Sequence, residues 1–249
     1  MRMILSFVSA LTIAAGAVVA GQADSITTVP ATGGDIVVTP LMRMSVQIEH
    51  AGKVIHVDPT AIGAAPAKPG DLILVTDIHR ETLDIDQIAK IRKPGAPVVM
   101  PAAVAKMAGD KIAGPTNVVA NGETVKVGDI TIEAVPAYNA SGRGPKPGGE
   151  AYFPKGRGNG YVVTIGGKRL FFAGKTECTP EIKAIKDIEV AFLPMQMPET
   201  MQPYEAGECA KVFMPKTVYA YHYDGHKNDE AFFRAVLKPT PINVKVQIQ

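Results

Sequence analysis

Short apolar runs broken by Gly, Pro, Asn and Asp set the rhythm of this chain, and most are too short to be helices. Residues 36–39, Ser45–His50 and Lys53–Val57 read as three strands. Ala51-Gly52 turns between the last two, and the proline of "VDP" (57–59) closes the third, because proline cannot donate to a ladder. Residues 72–75 are continuously apolar, as in a strand covered on both faces. A helical pattern opens at Asp84 as N-cap, runs over 85–92 and stops at Pro94-Gly95. A strand at Val98–Met100 and an alanine-rich helix near 102–108 follow. The β-segments near 117–119, 123–126 and 129–135 carry Asn121-Gly122 and Gly128-Asp129 at hairpin spacing. Residues 139–160 have no period. Beyond them "YVVTIGGKRLFFAG" is a hairpin turning at Gly166-Gly167, and Thr179-Pro180-Glu181 opens a helix to about Lys186. A strand at 190–193, a helix at 203–213, a strand at Thr217–Tyr221 and a helix over 229–237 capped by Asn228 come next. The final "INVKVQI" alternates like a half-exposed strand. Residues 24–35 read as a lead-in with no element. Strands with few helices, then strands and helices in alternation, predict an α+β (mixed α/β) fold.

The N-terminus changes the picture of where the chain works. Arg2 is a short positive region, residues 3–19 are almost unbrokenly apolar, and small residues follow at Ala20, Gly21 and Ala23. That pattern predicts a secretory signal peptide over 1–23, a mature single domain over 24–249, and a periplasmic or secreted protein with no membrane span after cleavage. A retained N-terminal anchor is the alternative. The 46% hydrophobic and 20% charged residues suffice for an ordinary core. A net charge of +2 and the lack of an aromatic stacking platform argue against nucleic acid as a partner. Cys178 and Cys209 are the two cysteines; an oxidising location allows a bridge between them, and two buried thiols are the alternative.

Candidate chemistry gathers where apolar strands stop. Asp58, the stretch "DIHRETLD" from Asp77 to Asp84, Tyr138, Lys175 and His222 each follow a strand, so several strand ends can converge on one rim. The aperiodic loop carries Arg143, Lys146, Lys155 and Arg157 against Glu150, which suits either a solvated loop or a lid that attracts a small anionic ligand. His50 and His56 on early strands read as structural or exposed, and His226 as a surface residue. Cys178 lies near Lys175, but no base is placed to activate it.

Five segments in order, "VTDIHRETLD", "VPAYN", "FPKGRGNGYVVTIGGKRLFFAGKTECTPE", "VAFLPM" and "YAYHYDGH", resemble the metallo-β-lactamase superfamily, nearest to its ascorbate-phosphate lactonase-like branch of metal-dependent hydrolases. The resemblance runs from about Ile36 to the end. It implies a four-layer αββα sandwich with a one- or two-metal site on one edge. The family's first motif, HxHxDH or DxHxDH, falls here on Asp77, His79, Glu81 and Thr82. The resemblance therefore implies Asp77, His79, Glu81 and His222 as the metal-ligand set, with zinc the expected ion.

The departures are as informative as the matches. Thr82 is a poor zinc ligand, Arg80 adds charge, Tyr138 and Arg43-Met44 stand where relatives place histidines, and Lys175 stands where they place a metal-bridging aspartate. An ammonium there repels dications, so a two-metal mechanism is not expected. The resulting expectation is no metal or a single weakly held divalent ion, in an eroded centre on a non-catalytic or ligand-binding protein. Lys175 would pair with Asp77, Glu81 or Asp84, and the ligand would meet Arg80, Tyr138, Arg143 and Lys155. The alternative is a divergent hydrolase of a small ester, lactone or phosphate-bearing substrate, with Asp77 and Lys175 as its candidate catalytic groups.

Overall fold

The computed structural model describes residues 26–61, 67–223 and 225–247; the predicted signal peptide lies outside them. Two seven-stranded sheets are each laid down in chain order. The first holds β1 (Thr27–Val29), β2 (Ile36–Met42), β3 (Ser45–His50), β4 (Lys53–Val57), β5 (Leu72–Leu74), β6 (Val98–Met100) and β7 (Thr116–Val118). The second runs from β8 (Thr124–Val127) through β9 (Ile130–Ala137), β10 (Gly158–Ile165), β11 (Lys168–Phe172), β12 (Ile188–Pro194) and β13 (Thr217–Tyr221) to β14 (Asn243–Val246). The sheets share one plan: strands pair antiparallel from β1 to β4 and from β8 to β11, through short connections except for the long loop 138–157 between β9 and β10. From β4 to β7 and from β11 to β14 the pairing is parallel.

Alternation along each strand sends one face inward. Val38, Val46, Ile48, Val57 and Leu74 of the first sheet meet Ile132, Tyr161, Val163, Leu170, Phe172, Phe192 and Tyr219 of the second in one buried cluster. At its centre Phe192 stacks between Phe172 and Tyr219, with ring centroids 5.2 and 4.5 Å away. The outer faces are covered by helices. Helices α1 (Ile85–Ile91) and α2 (Ala102–Ala108) bury Ile88, Ile91 and Val104 on the first sheet. The one-turn α3 (Pro180–Lys183), α4 (Pro203–Phe213) and α5 (Lys227–Leu237) cover the second. In α4 the buried stripe is Ala206, Cys209, Ala210 and Phe213, spaced as one helix face. Helix, sheet, sheet, helix is the four-layer sandwich that the sequence led us to expect.

The local expectations need three corrections. Thr27–Val29 is a strand where a featureless lead-in was expected, anchored by a 2.6 Å hydrogen bond between the Thr27 and Tyr219 hydroxyls. Helix α3 ends at Lys183, because Ala184 caps it and Asp187 has a positive φ of 58°. Helix α5 starts two residues early, with His226 rather than Asn228 at its N-cap. His50 and His56 are both buried; the His56 Nε2 lies 2.8 Å from the Lys68 carbonyl. Among the described residues no helix is long and apolar enough to cross a membrane. Cys178 and Cys209 are bridged, with Cα atoms 5.7 Å apart, tying the segment after β11 to α4.

Candidate functional site

The turn after β5 is built before any chemistry is added. Asp58, just past β4 and held at φ 46°, accepts the Thr76 N–H and hydroxyl, both at 2.7 Å. Buried and fully enclosed, its carboxyl is pushed well above the usual range by desolvation. Asp77 accepts the His79 N–H at 3.0 Å. The Thr82 hydroxyl donates to the carbonyls of Asp77 and His79 at 2.8 and 2.9 Å, so it braces the turn instead of facing a ligand. Two buried tyrosines support the neighbouring loops from below: Tyr161 donates to the Val75 carbonyl and Tyr221 accepts the Gly174 N–H, both at 2.9 Å. Gly158 must be glycine here, since a Cβ would lie 2.9 Å from Asp77 Oδ2.

Onto this turn converge the ends of β11 and β13. Lys175, with no exposed side-chain surface, puts Nζ 2.8 Å from Glu81 Oε2, 2.8 Å from His222 Nε2 and 3.3 Å from Glu199 Oε2. His222, at φ 48°, is 2.7 Å from the same Glu81 oxygen, and its backbone N–H donates to the Arg43 carbonyl. Arg43 then reaches the other Glu81 oxygen at 2.9 Å. The Phe153 ring lies 5.5 Å from Lys175 Nζ and 5.0 Å from the Arg157 guanidinium. Asp77 is not a partner of Lys175, contrary to expectation. Arg157 takes both its oxygens, at 3.0 and 3.1 Å.

Lys175 Nζ, His222 Nε2 and Glu81 Oε2 form a triangle with edges of 2.7–2.8 Å. The carboxylate can accept from both nitrogens. We assign the His222 proton to Nε2, because the other tautomer would set a lone pair against the carboxylate and bury an Nδ1–H that has no partner. The hydrogen bond from His222, with help from Lys175, holds the Glu81 carboxyl far below the usual range against the opposing effect of burial. Desolvation pushes His222 down to about 4, so its imidazole is neutral. His79 is also lowered, first by burial and then by Lys175.

The other predicted residues spread away from this centre. Tyr138 donates its hydroxyl to Glu181 at 3.1 Å, and Lys155 pairs with the same carboxylate at 2.8 Å. Arg143 is held by Glu177 at 3.1 Å and Glu205 at 3.0 Å. Arg143 and Lys155 of the loop thus have acidic partners, and Arg80 is exposed. Three central residues escaped sequence reading as site members. Arg43 was noted only as a lost histidine, Arg157 only as loop charge, and Glu199 carried no signal in "QMPETM". A search for a counter-charge to each internal carboxylate would have raised Arg157.

The donors around Lys175 stand at ammonium distances, whereas zinc bonds to N and O are about 2.0–2.2 Å. Among the described residues no group of three or more His, Cys, Asp or Glu is arranged to hold a metal ion.

Residues 38–222 match the family model for the beta-lactamase superfamily domain. The chain is 32% identical over 184 residues to a UPF0173 metal-dependent hydrolase of Pyrococcus abyssi, covering 69% of this chain and 78% of that protein. A crystal structure from Parabacteroides distasonis, named for a metal-dependent hydrolase, superposes with TM-score 0.79 at 33% identity over 89% of this chain and 97% of that one. The fold alone is shared with the metallo-β-lactamase fold protein YhfI of Bacillus subtilis, at TM-score 0.65 and 12% identity over 89% and 94% of the two chains. With its two mixed sheets, its rim of loop residues and these relatives, the chain belongs to the metallo-β-lactamase superfamily.

Proposed function

We propose that this is an exported member of the superfamily in which protein cations replace the metal centre, and that it binds a small anionic ligand without hydrolysing it. One observation carries the reading: the buried Lys175 ammonium lies 2.8 Å from both Glu81 and His222, two of the residues expected to ligate a metal. The residues as they stand do not fit a metal ion, since any dication near Glu81 and His222 would also meet Nζ at close range in a poorly solvated site. Lys175 is sealed from solvent and cannot reach a substrate as nucleophile or base. The groups that remain part-exposed at the mouth are Arg43, His79 and Glu199, with side-chain exposures of 35%, 28% and 29%. Arg43 and His79 can meet an anion, Glu199 opposes one, and the three do not form an activated nucleophile. Export is supported by the N-terminal pattern and by the Cys178–Cys209 bridge, a linkage favoured in oxidising compartments.

The relatives' description as metal-dependent hydrolases keeps a second reading in view, favoured by the half-exposed neutral imidazole of His79. On that reading His79 is a general base toward a small ester, lactone or phosphate ester. Elemental analysis of protein purified from the periplasm separates the readings when combined with assays on chromogenic esters, lactones and phosphates. We expect far less than one equivalent of zinc, no turnover, and an N-terminus at Asp24 or Gly21. Stoichiometric zinc contradicts the proposal. Metal-independent turnover abolished by His79→Ala establishes the second reading.

A further inference from the structure

Each of three carboxylates at the cleft faces a cation, Lys175 being shared by Glu81 and Glu199, and the cations come from separate parts of the chain. Lys175 follows β11, Arg157 precedes β10, and Arg43 sits in the turn after β2. Three cations face three carboxylates: Glu81, Glu199 and Asp77. The Lys175 ammonium donates to Glu81 at 2.8 Å and Glu199 at 3.3 Å, lies beside His222 Nε2 without using it as an acceptor, and is covered by the face of Phe153. These are donor–acceptor separations for an N–H-bearing cation. Arg157 meets Asp77 in a two-bonded fork; Asp77 also accepts the His79 N–H, and His79 Nδ1 lies 3.6 Å from Glu81 Oε2. The same Phe153 ring lies against both cations.

We propose that Lys175 and Arg157 are two separately tethered cations occupying the cleft, and that removing the Lys175 side chain leaves a binding site for a free alkylammonium ion, whose acceptors are Glu81 and Glu199. This rests on the reading that no metal occupies the cleft. A free cation then enters only if the tethered one leaves, and the site selects for N–H donors over bare positive charge. An ion such as tetramethylammonium has the charge but cannot hydrogen-bond. The n-propylammonium ion has the length of side chain that Lys175→Ala removes.

The test is thermal unfolding of the mature protein and its variants in n-propylammonium chloride or tetramethylammonium chloride at equal ionic strength. Lys175→Gln, close to isosteric and uncharged, should lower Tm by about 10 °C. Lys175→Ala should fall at least as far and regain several degrees in n-propylammonium only. Wild type should respond alike to both salts, and adding Glu199→Gln to Lys175→Ala should weaken the recovery. Arg157→Gln should cost stability without creating a response to n-propylammonium, and its loss should add to that of Lys175→Gln. A Lys175→Gln protein within a degree of wild type overturns the proposal, even if Lys175→Ala does not fold. Equal response of Lys175→Ala to the two salts overturns it as well, as does a double variant no less stable than the weaker single one. Stoichiometric zinc in the wild type defeats instead the reading on which the proposal rests.

Discussion

Lys175 and Lys216 stand at opposite ends of the same run of parallel strands, and each faces a glutamate at about hydrogen-bond distance. Lys216, just before β13, lies 3.0 Å from Glu189 with 69% of its side chain exposed. Lys175, just past β11, lies 2.8 Å from Glu81 with none exposed. The chemistry is the same and the surroundings decide its value. At the first end water solvates either charge as well as its partner does, so the pair contributes about 0–1 kcal/mol. At the second, each charge has lost its water, and removing one leaves the other stranded. Polar groups with consequences for function therefore collect at one end only, where Asp58, Asp77, Glu81, Lys175 and His222 all lie within a residue or a short turn of a strand end.

Truncating Lys175 should break the comparison most strongly. Lys175→Met should cost about 3–5 kcal/mol in urea unfolding, because Glu81 stays buried without its ammonium. A loss near that of Lys216→Met would mean that the two ends are equivalent. The next effect belongs to the bridge that ties the rim to α4. Cys178→Ser with Cys209→Ser should cost about 3–4 kcal/mol for the released loop of 31 residues. Untreated denatured protein should show no thiol that reacts with a colorimetric reagent.

Acid should sharpen the comparison less steeply. His222 has a folded pKa below its unfolded value, so between about pH 6.5 and 4 the unfolded chain binds the extra proton and stability falls as pH falls. The slope reaches about 1 kcal/mol per pH unit. Glu81 acts in the same direction lower down: its contribution is present above its unfolded pKa of 4.5 and is lost as pH drops through the range beneath. Asp58 works the other way, since its raised pKa favours proton uptake by the folded state, and it offsets part of the loss, while His56 and His79, both lowered first by burial, add to it. Unfolding at a series of pH values checks this, and a flat profile between 6.5 and 5 would contradict it. The smallest effect is at the exposed end, where Lys216→Met should stay within about 1 kcal/mol of wild type.

The mixed α/β class was legible because strands are written in local pattern, as short apolar or alternating runs with glycine-bearing turns, and the sandwich followed from the family resemblance. The rim was legible as a place, since its residues follow strands. Its wiring was not. Lys175 could be expected to meet Glu81 and His222 through the family resemblance, but Arg157 taking Asp77 depends on a contact eighty residues away in sequence, set by how the loop folds back through Gly158. Glu199 is a lone acidic residue in a proline-bearing turn, with no periodicity to mark it. Arg143 and Lys155 were expected to face a ligand because loop charge shows in sequence and its partners do not; Glu177, Glu205 and Glu181 supply those partners. Thr27–Val29 was missed because three residues are too few to show alternation.

The central claim is that the Lys175 ammonium holds the place of a metal ion. X-ray diffraction at the zinc absorption edge, from crystals of the wild-type protein grown with zinc, addresses it directly. The expected result is no anomalous peak among Asp77, Glu81, Glu199 and His222, with Lys175 Nζ in contact with Glu81 and His222. A strong peak bonded to His222 and Glu81 with Lys175 swung aside would contradict it.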